Sequence, residues 1–364
     1  MAARATRSAS GAASSSDDAS RPSDAMFAEP QEYRNEERML TKMLDQLKNG
    51  RLPTELLPLL RNFSSAVMES TCSRCHLLML SHDELGVIFD GLADPLQPVV
   101  AVALSSTCLG LRTPLRAALE VLQERHEKAA ALGRKGGKIL GTDLHGRAML
   151  FMTCAELRDA ELLDWNERGL TTDDMATLWL LLPWMPSLKN LYLWTNSLCD
   201  AGMQALCKGL GRGAAPSLGY LVCGDNDFGS AGAEALAAAL SRGAMPNLGL
   251  LDLGDNSIGN QGVAALAPAL KKLPALKVLD LGVDGIGDEG VASLLDNLGK
   301  DDFKALEELY LDRNLLTDKG CATIVAALKA GALPALKACD LMSCDGASEE
   351  ACAAVDAALL QRLA

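Results

Sequence analysis

A chain of 364 residues with 47 acidic against 34 basic side chains carries a formal net charge of −13, and the excess is local: residues 1–159 hold 20 acids and 19 bases, residues 160–364 hold 27 and 15. That excludes the second half as a surface for phosphate backbones and points instead to a basic protein partner. Charges interrupt every long apolar stretch, so no membrane span is expected, and the eleven cysteines fit a reducing compartment, cytoplasmic or nuclear, better than a disulfide framework.

Residues 1–30 are rich in Ser and Ala and poor in large apolar side chains, the composition of a disordered tail. Arg4 and Arg7 also suit an organelle transit peptide, diluted by Asp17, Asp18 and Asp24. From 31 to 132 the pattern is helical. Leu40, Met43, Leu44 and Leu47 share one face, Gly50 ends that helix, and Pro53 opens another running to about Met68. Cys72-Ser73-Arg74-Cys75-His76 has the C-x-x-C-H spelling of haem attachment, but no export signal accompanies it and no second ligand pair stands at zinc spacing. No cofactor and no metal are expected.

Leu80, Asp83, Leu85, Ile88, Phe89, Leu92 and Pro95 then describe a short amphipathic helix that stops at Asp94-Pro95, with a second helix from about Val99. This frame resembles the F-box, L-P-x-E-x-L-x-x-I-F-x-x-L-x-x-P, and Cys108 and Arg112 match part of its later V-C-K-x-W-R run. Ser81 stands where the F-box has proline, about four extra residues separate Pro95 from Cys108, and the late tryptophan is absent. Leu52-Pro53-Thr54-Glu55-Leu56 offers a rival start without the Ile-Phe pair, and ordinary helical packing produces similar spacing. Thr113-Pro114 reads as the cap and first residue of a long helix whose polar end, including His126, faces solvent. Gly133 to Gly141, with Arg134, Lys135 and Lys138, reads as a basic hinge inside a linker and cap over 133–159, since it lacks the spacing of a phosphate-binding loop.

From 160 to 364 the chain repeats itself. Leu188, Leu218, Leu248, Leu276, Leu306 and Leu336 open units spaced 30, 30, 28, 30 and 30 residues apart, and a degraded unit precedes them with Trp165 at the position of Leu193 and Arg168 at that of Asn196. Leu191-x-Leu193 alternates with the period of a strand, whereas Gly202-x-x-x-Leu206-x-x-x-Leu210 recurs with that of a helix. One strand and one helix therefore make one coil, and a lone coil buries too little to fold, so neighbours must stack. The Asn at the turn has a side chain able to bond backbone of its own and the next coil, and the glycines at 202, 232, 262, 290 and 320 suit a close-packed helix start. Cys223 and Cys339 replace core leucines and Cys344 the Asn; Ser348-Glu349-Glu350 opens a last helix in which Val355 and Leu359 close the core.

The frame L-x-x-L-x-L-x-x-N-x-L followed by that helix resembles the leucine-rich repeat of the ribonuclease-inhibitor subtype. The resemblance implies an α/β fold, a right-handed β/α horseshoe of about 7 coils with strands on the concave side, preceded by a small all-α F-box-like domain and a disordered tail. On the concave side the residues flanking the buried leucines would be Asp164, Tyr192, Trp194, Tyr220, Asp252, Asp280, Tyr310, Asp312 and Asp340, with Asp225 and Asp255 beside them. Aromatic anchors among carboxylates suit a protein-binding face, and Gly224, Gly254 and Gly282 are expected to leave its middle open. The alternative is that these aromatics only shield backbone and the aspartates only confer solubility.

The four histidines all precede the repeats and no nucleophile has an identifiable base, so no enzyme is read. The F-box resemblance implies docking on the Skp adaptor of a cullin-based ubiquitin ligase through Leu80, Leu85, Ile88, Phe89, Leu92 and Pro95, with the horseshoe holding a substrate protein. A non-catalytic scaffold or inhibitor with a helical cap is the alternative. A Ran-type GTPase activator, which shares the repeat subtype, would need Arg168 or Arg313 as its catalytic arginine.

Overall fold

The computed structural model describes residue 89 and residues 93–98, 101–102, 115–136, 138–141, 147–150, 152–299 and 301–363. They lie in one compact unit, Leu57–Ala364. The tail at 1–30, the helices expected before residue 80, the C-x-x-C-H spelling and most of the F-box-like segment fall outside the described residues.

Helix α1 (Arg116–Lys135) leads into an antiparallel pair, β1 (Lys138–Gly141) and β2 (Arg147–Leu150), and then a short helix α2 (Cys154–Asp159). Seven strand-and-helix coils follow. The strands are β3 (Leu162–Asp164), β4 (Asn190–Tyr192), β5 (Tyr220–Val222), β6 (Leu250–Asp252), β7 (Val278–Asp280), β8 (Glu308–Tyr310) and β9 (Ala338–Asp340). The helices are α3 (Thr172–Leu181), α4 (Cys199–Cys207), α5 (Ser230–Ser241), α6 (Gly259–Leu270), α7 (Asp288–Leu295), α8 (Asp318–Lys329) and α9 (Glu349–Leu363). The strands form one parallel sheet in sequence order, each pairing only with the coils before and after it. Strands in a sheet lie about 4.8 Å apart whereas packed helices need 8–10 Å, so the coils splay on the helical side and the sheet takes the inner side.

The register is strict. Leu163, Leu191, Leu221, Leu251, Leu279, Leu309 and Cys339 are successive partners, and all are buried. Behind them Leu193, Cys223, Leu253, Leu281 and Leu311 are nearly inaccessible, and Leu206, Leu236, Leu266, Leu294, Ile324 and Leu359 close the core from the helices. Every coil thus contributes the same layer to one continuous apolar core.

Two rows of polar groups tie coil to coil. At the turn, Asn196 donates from Nδ2 to the carbonyls of Leu193 (2.8 Å) in its own coil and Trp165 (2.9 Å) in the preceding one, while its Oδ1 accepts from the N–H groups of Arg168 and Leu170. Asn226, Asn256 and Asn314 bond in the same sense. The side chain therefore serves its own and the preceding coil, not the next one as the sequence suggested, because it points back under the turn it follows.

The second row runs the other way. Asp200 Oδ1 accepts from the N–H groups of Gly229 (2.8 Å) and Gly232 (2.7 Å) at the start of the following helix, where unpaired N–H groups gather. Asn260 does the same for Gly287 and Gly290, Asp288 for Thr317, and Asp318 for Ser348. The conserved-frame glycines make room for it: a Cβ on Gly232, Gly290 or Gly320 would meet the capping oxygen of the coil before.

The region before the coils differs from its reading as hinge and linker. Helix α1 runs through Lys135, across the boundary expected at 132, and its N-cap position falls on buried Leu115 rather than at Thr113. Ala129 and Leu132 join the same core as the coils. Gly136 abuts the ring of fully buried Trp165, and the Gly133 carbonyl accepts from the Met152 N–H (3.1 Å), contacts too close for any side chain. Lys135 pairs with Asp174 of α3 at 2.5 Å. The glycines are there for close approach, and the stretch after them forms β1 rather than a loop. The polar end of α1 is exposed at Gln123, Glu124, Arg125, Glu127 and Lys128, while His126 is half-buried with its Nδ1 2.7 Å from the Pro95 carbonyl.

Candidate functional site

The exposed edge of each strand residue on the inner face falls into straight rows. One row runs Asp164, Tyr192, Val222, Asp252, Asp280, Tyr310, Asp340, each the direct partner of the next. A second runs Leu162, Asn190, Tyr220, Leu250, Val278, Glu308, Ala338. Thus Tyr192 and Tyr310 share a row with the carboxylates, and Tyr220 stands one row over. Trp194 lies beyond the end of β4, where its N–H donates to Asn166 Oδ1 (2.7 Å). Trp194 is 39 % and Tyr220 45 % exposed, large aromatic surfaces left open to solvent. Tyr192 and Tyr310 are half-buried, and the Tyr310 hydroxyl donates to Glu308 (2.8 Å).

The aspartates are more engaged than their positions suggested. Asp252, Asp280 and Asp340 each turn one oxygen back to the N–H two residues on, at Gly254 (3.1 Å), Gly282 (2.9 Å) and Met342 (2.8 Å). These bonds close the turn after the strand. The glycines of that turn are not an open floor. A Cβ on Gly224 would meet Trp194, the Gly254 carbonyl and Asp252; on Gly254 it would meet Asp280; on Gly282 it would come within 2.7 Å of Asp312. Each glycine seats the carboxylate of the next coil, so the expected gap for a partner's side chains is already filled.

That packing sets the electrostatics. Burial, with Asp280 in the next coil, pushes the Asp252 carboxyl up to about 6. Burial likewise raises Asp280, helped by Asp312, Asp255 and Asp340, against the bond from Gly282. Asp225 is held by the Thr195 hydroxyl (2.8 Å), Asp255 is exposed, and Asp312 pairs with Arg313 at 3.6 Å. Asp164 is exposed at the first coil. At the start of the strands, Glu307 bridges Lys277 and Lys337 and is held at about 2 by those two ammonium groups. The face therefore presents a run of carboxylates between aromatic anchors.

Sequence reasoning passed over one residue of this region. Asp284 occupies the Asn position of its coil and is inaccessible; the N–H groups of Ile258 (3.4 Å) and Asn256 approach its carboxyl, and its Oδ2 has no partner. Burial pushes its carboxyl up to about 8. Its place in the frame was legible; the cost of a carboxylate there was not.

Of the adaptor-contact residues, Leu80, Leu85, Ile88 and Leu92 lie outside the described residues. Phe89 is helical and 1 % exposed, and Pro95 is buried. Beside them Asp94 is buried, pairs with Arg158 of α2 at 3.4 Å and closes a turn onto Leu96. The Phe89 and Pro95 side chains are both buried within the chain's own packing. Arg168 is half-buried with its Nε unpaired, and Arg313 is exposed beside Asp312. Among the described residues no cluster of His, Cys, Asp or Glu is arranged to hold a metal, the cysteines are unpaired, and no helix is long and apolar enough to cross a membrane.

The family described as Leucine Rich repeat matches residues 244–267, which span the end of the coil that opens at Leu218, β6 and most of α6. The matched segment is similar to one leucine-rich repeat, and the coils on either side share its strand-and-helix frame. Among solved structures, a TLR13–ssRNA13 complex is similar at 20 % identity and a TM-score of 0.26 over 46 % of this chain, which spans 27 % of that one. No curated protein matches the sequence.

Proposed function

We propose that the inner sheet face is a protein-binding surface and that the chain acts by recognition without covalent chemistry. One observation carries this reading: exposed Tyr220 on β5 and exposed Trp194 just past β4 stand beside a row of carboxylates, an arrangement of aromatic anchors beside charge that a partner could bury. The acidic row favours a partner with basic side chains and disfavours nucleic acid.

The finer reading, a substrate-recognition subunit of a cullin-based ubiquitin ligase, rests on the F-box-like frame at 80–95. It needs contacts from Leu80, Leu85, Ile88, Phe89, Leu92 and Pro95, of which Phe89 and Pro95 are buried in this structure. A non-catalytic repeat scaffold needs none of them. Co-purification separates the two: the ligase reading expects the full chain to retain a Skp-type adaptor, and failure to do so where an authentic F-box succeeds leaves the scaffold. For the face itself, proteins retained by the natural chain are compared by mass spectrometry with those retained by a Trp194→Ala, Tyr220→Ala double variant. The proposal expects a specific set to be lost; an unchanged set overturns it.

A further inference from the structure

Among the described residues, β9 lies at an edge of the sheet, paired on one side alone. In the coil before, the N–H groups of Leu311 and Arg313 donate to the carbonyls of Asp340 and Met342, and the Glu307 carbonyl accepts from Lys337 and Ala338. The equivalent groups of the last coil, the N–H of Leu341 and Ser343 and the carbonyl of Lys337, have no partner among the described residues, and β9 pairs only with β8. A cleft of about 1060 Å³ runs along this edge, backed by α9. Its floor is apolar, from Leu341 and Leu359, with Cys339, Cys344 and Cys352, and exposed Met342 and Leu360 flank it.

The charge of the cleft selects its occupant. Asp340, Glu349 and Asp356 line it against a single cation, Lys337, which is already bonded to Glu307. A second copy pairing edge to edge would bring two such sets of carboxylates together. An extended segment with basic side chains meets both demands, since its backbone completes the open ladder while alternate side chains reach the apolar floor and the acidic rim. We propose that the end of the array is a second binding site, which takes such a basic extended segment as an added strand on β9. This site is separate from the binding proposed for the inner face, and Trp194 and Tyr220 have no part in it.

The test uses the full chain and a fluorescein-labelled peptide of alternating Arg and Val, followed by anisotropy. Saturable binding is expected at or below about millimolar peptide, weakened at least about tenfold by Glu349→Lys with Asp356→Lys, both exposed positions on α9. Circular dichroism of that variant checks that it is folded. Trp194→Ala with Tyr220→Ala should leave the affinity unchanged. A peptide N-methylated at one alternate set of residues should lose binding, while methylation of the other set should not. Equal binding of the two methylated peptides, full affinity in the charge-reversed protein, loss of binding in the Trp194 and Tyr220 variant, or no saturable binding at all would each overturn the proposal.

Discussion

Replacing Asp284 with Asn should make the protein more stable, and increasingly so as pH rises. The carboxyl is inaccessible, one of its oxygens has no partner, and burial lifts it from 3.8 to about 8. Because the folded chain holds the proton more tightly than the unfolded one, this contribution is complete below the unfolded value near 3.8 and is lost as pH climbs through about 8. A rise of about four pH units, at about 1.4 kcal/mol each, is about 6 kcal/mol in all, of which about 4 kcal/mol is gone by pH 7. Even a third of the whole leaves about 2 kcal/mol, well above the error of a urea titration. Asn in the same place has an amide that donates as Asn256 and Asn314 do, to the carbonyl three residues back and to the preceding coil. Urea unfolding followed by tryptophan fluorescence, at steps between about pH 5 and pH 8, should show the natural chain losing stability faster with pH than Asp284→Asn. Parallel curves for the two proteins would refute the argument, since they would mean that Asp284 ionises in the folded state at no special cost.

Other consequences can be measured separately. Val283 is a β-branched residue at φ 58°, where the equivalent positions hold Asp225, Asp255, Arg313 and Ser343; Val283→Asn should gain about 1 kcal/mol in the same titration. Asp200→Ala should cost about 1–2 kcal/mol by uncapping α5, and amide exchange at Gly232 should quicken, whereas a change that leaves that amide protected would mean that the bond is dispensable. Gly282→Ala drives a methyl toward Asp312 and should lower the melting temperature by several degrees, with about 1–3 kcal/mol lost. The Asp252 carboxyl should titrate near pH 6 by carbon NMR, and Asp280→Asn should move that midpoint down because it removes a neighbouring negative charge.

The repeat frame was readable because it depends on burial at fixed spacing. The leucines at 191, 221, 251, 279 and 309 lie in register as their spacing demanded, Trp165 fills the core position of the degraded first coil, and Ser348 caps α9 through its hydroxyl bond to the Ala351 N–H. What was not readable depends on which neighbour a side chain meets. Gly224, Gly254 and Gly282 look like open floor until the next coil's carboxylates are placed against them. Gly133 and Gly136 look like a hinge until Met152 and Trp165 press on them. A four-residue strand such as Lys138–Gly141 has no periodic signature, and its partner, Arg147–Leu150, appears only on pairing. The helix-capping row at 200, 260, 288 and 318 was written in the spacing, yet its purpose needed the neighbouring helix start to be seen.

The two rows of polar bonds give the array a grain at both ends. Asp200, Asn260, Asp288 and Asp318 complete the helix that comes later, whereas Asn196 and its counterparts complete the turn that comes earlier, so the two rows run in opposite directions along the array. Shortening the array from the front would strand helix amides, and shortening it from the back would strand turn amides. Cys344, which reaches only the Leu311 carbonyl, marks where the backward row runs down. Grafting further coils onto this scaffold would therefore begin by restoring an asparagine there.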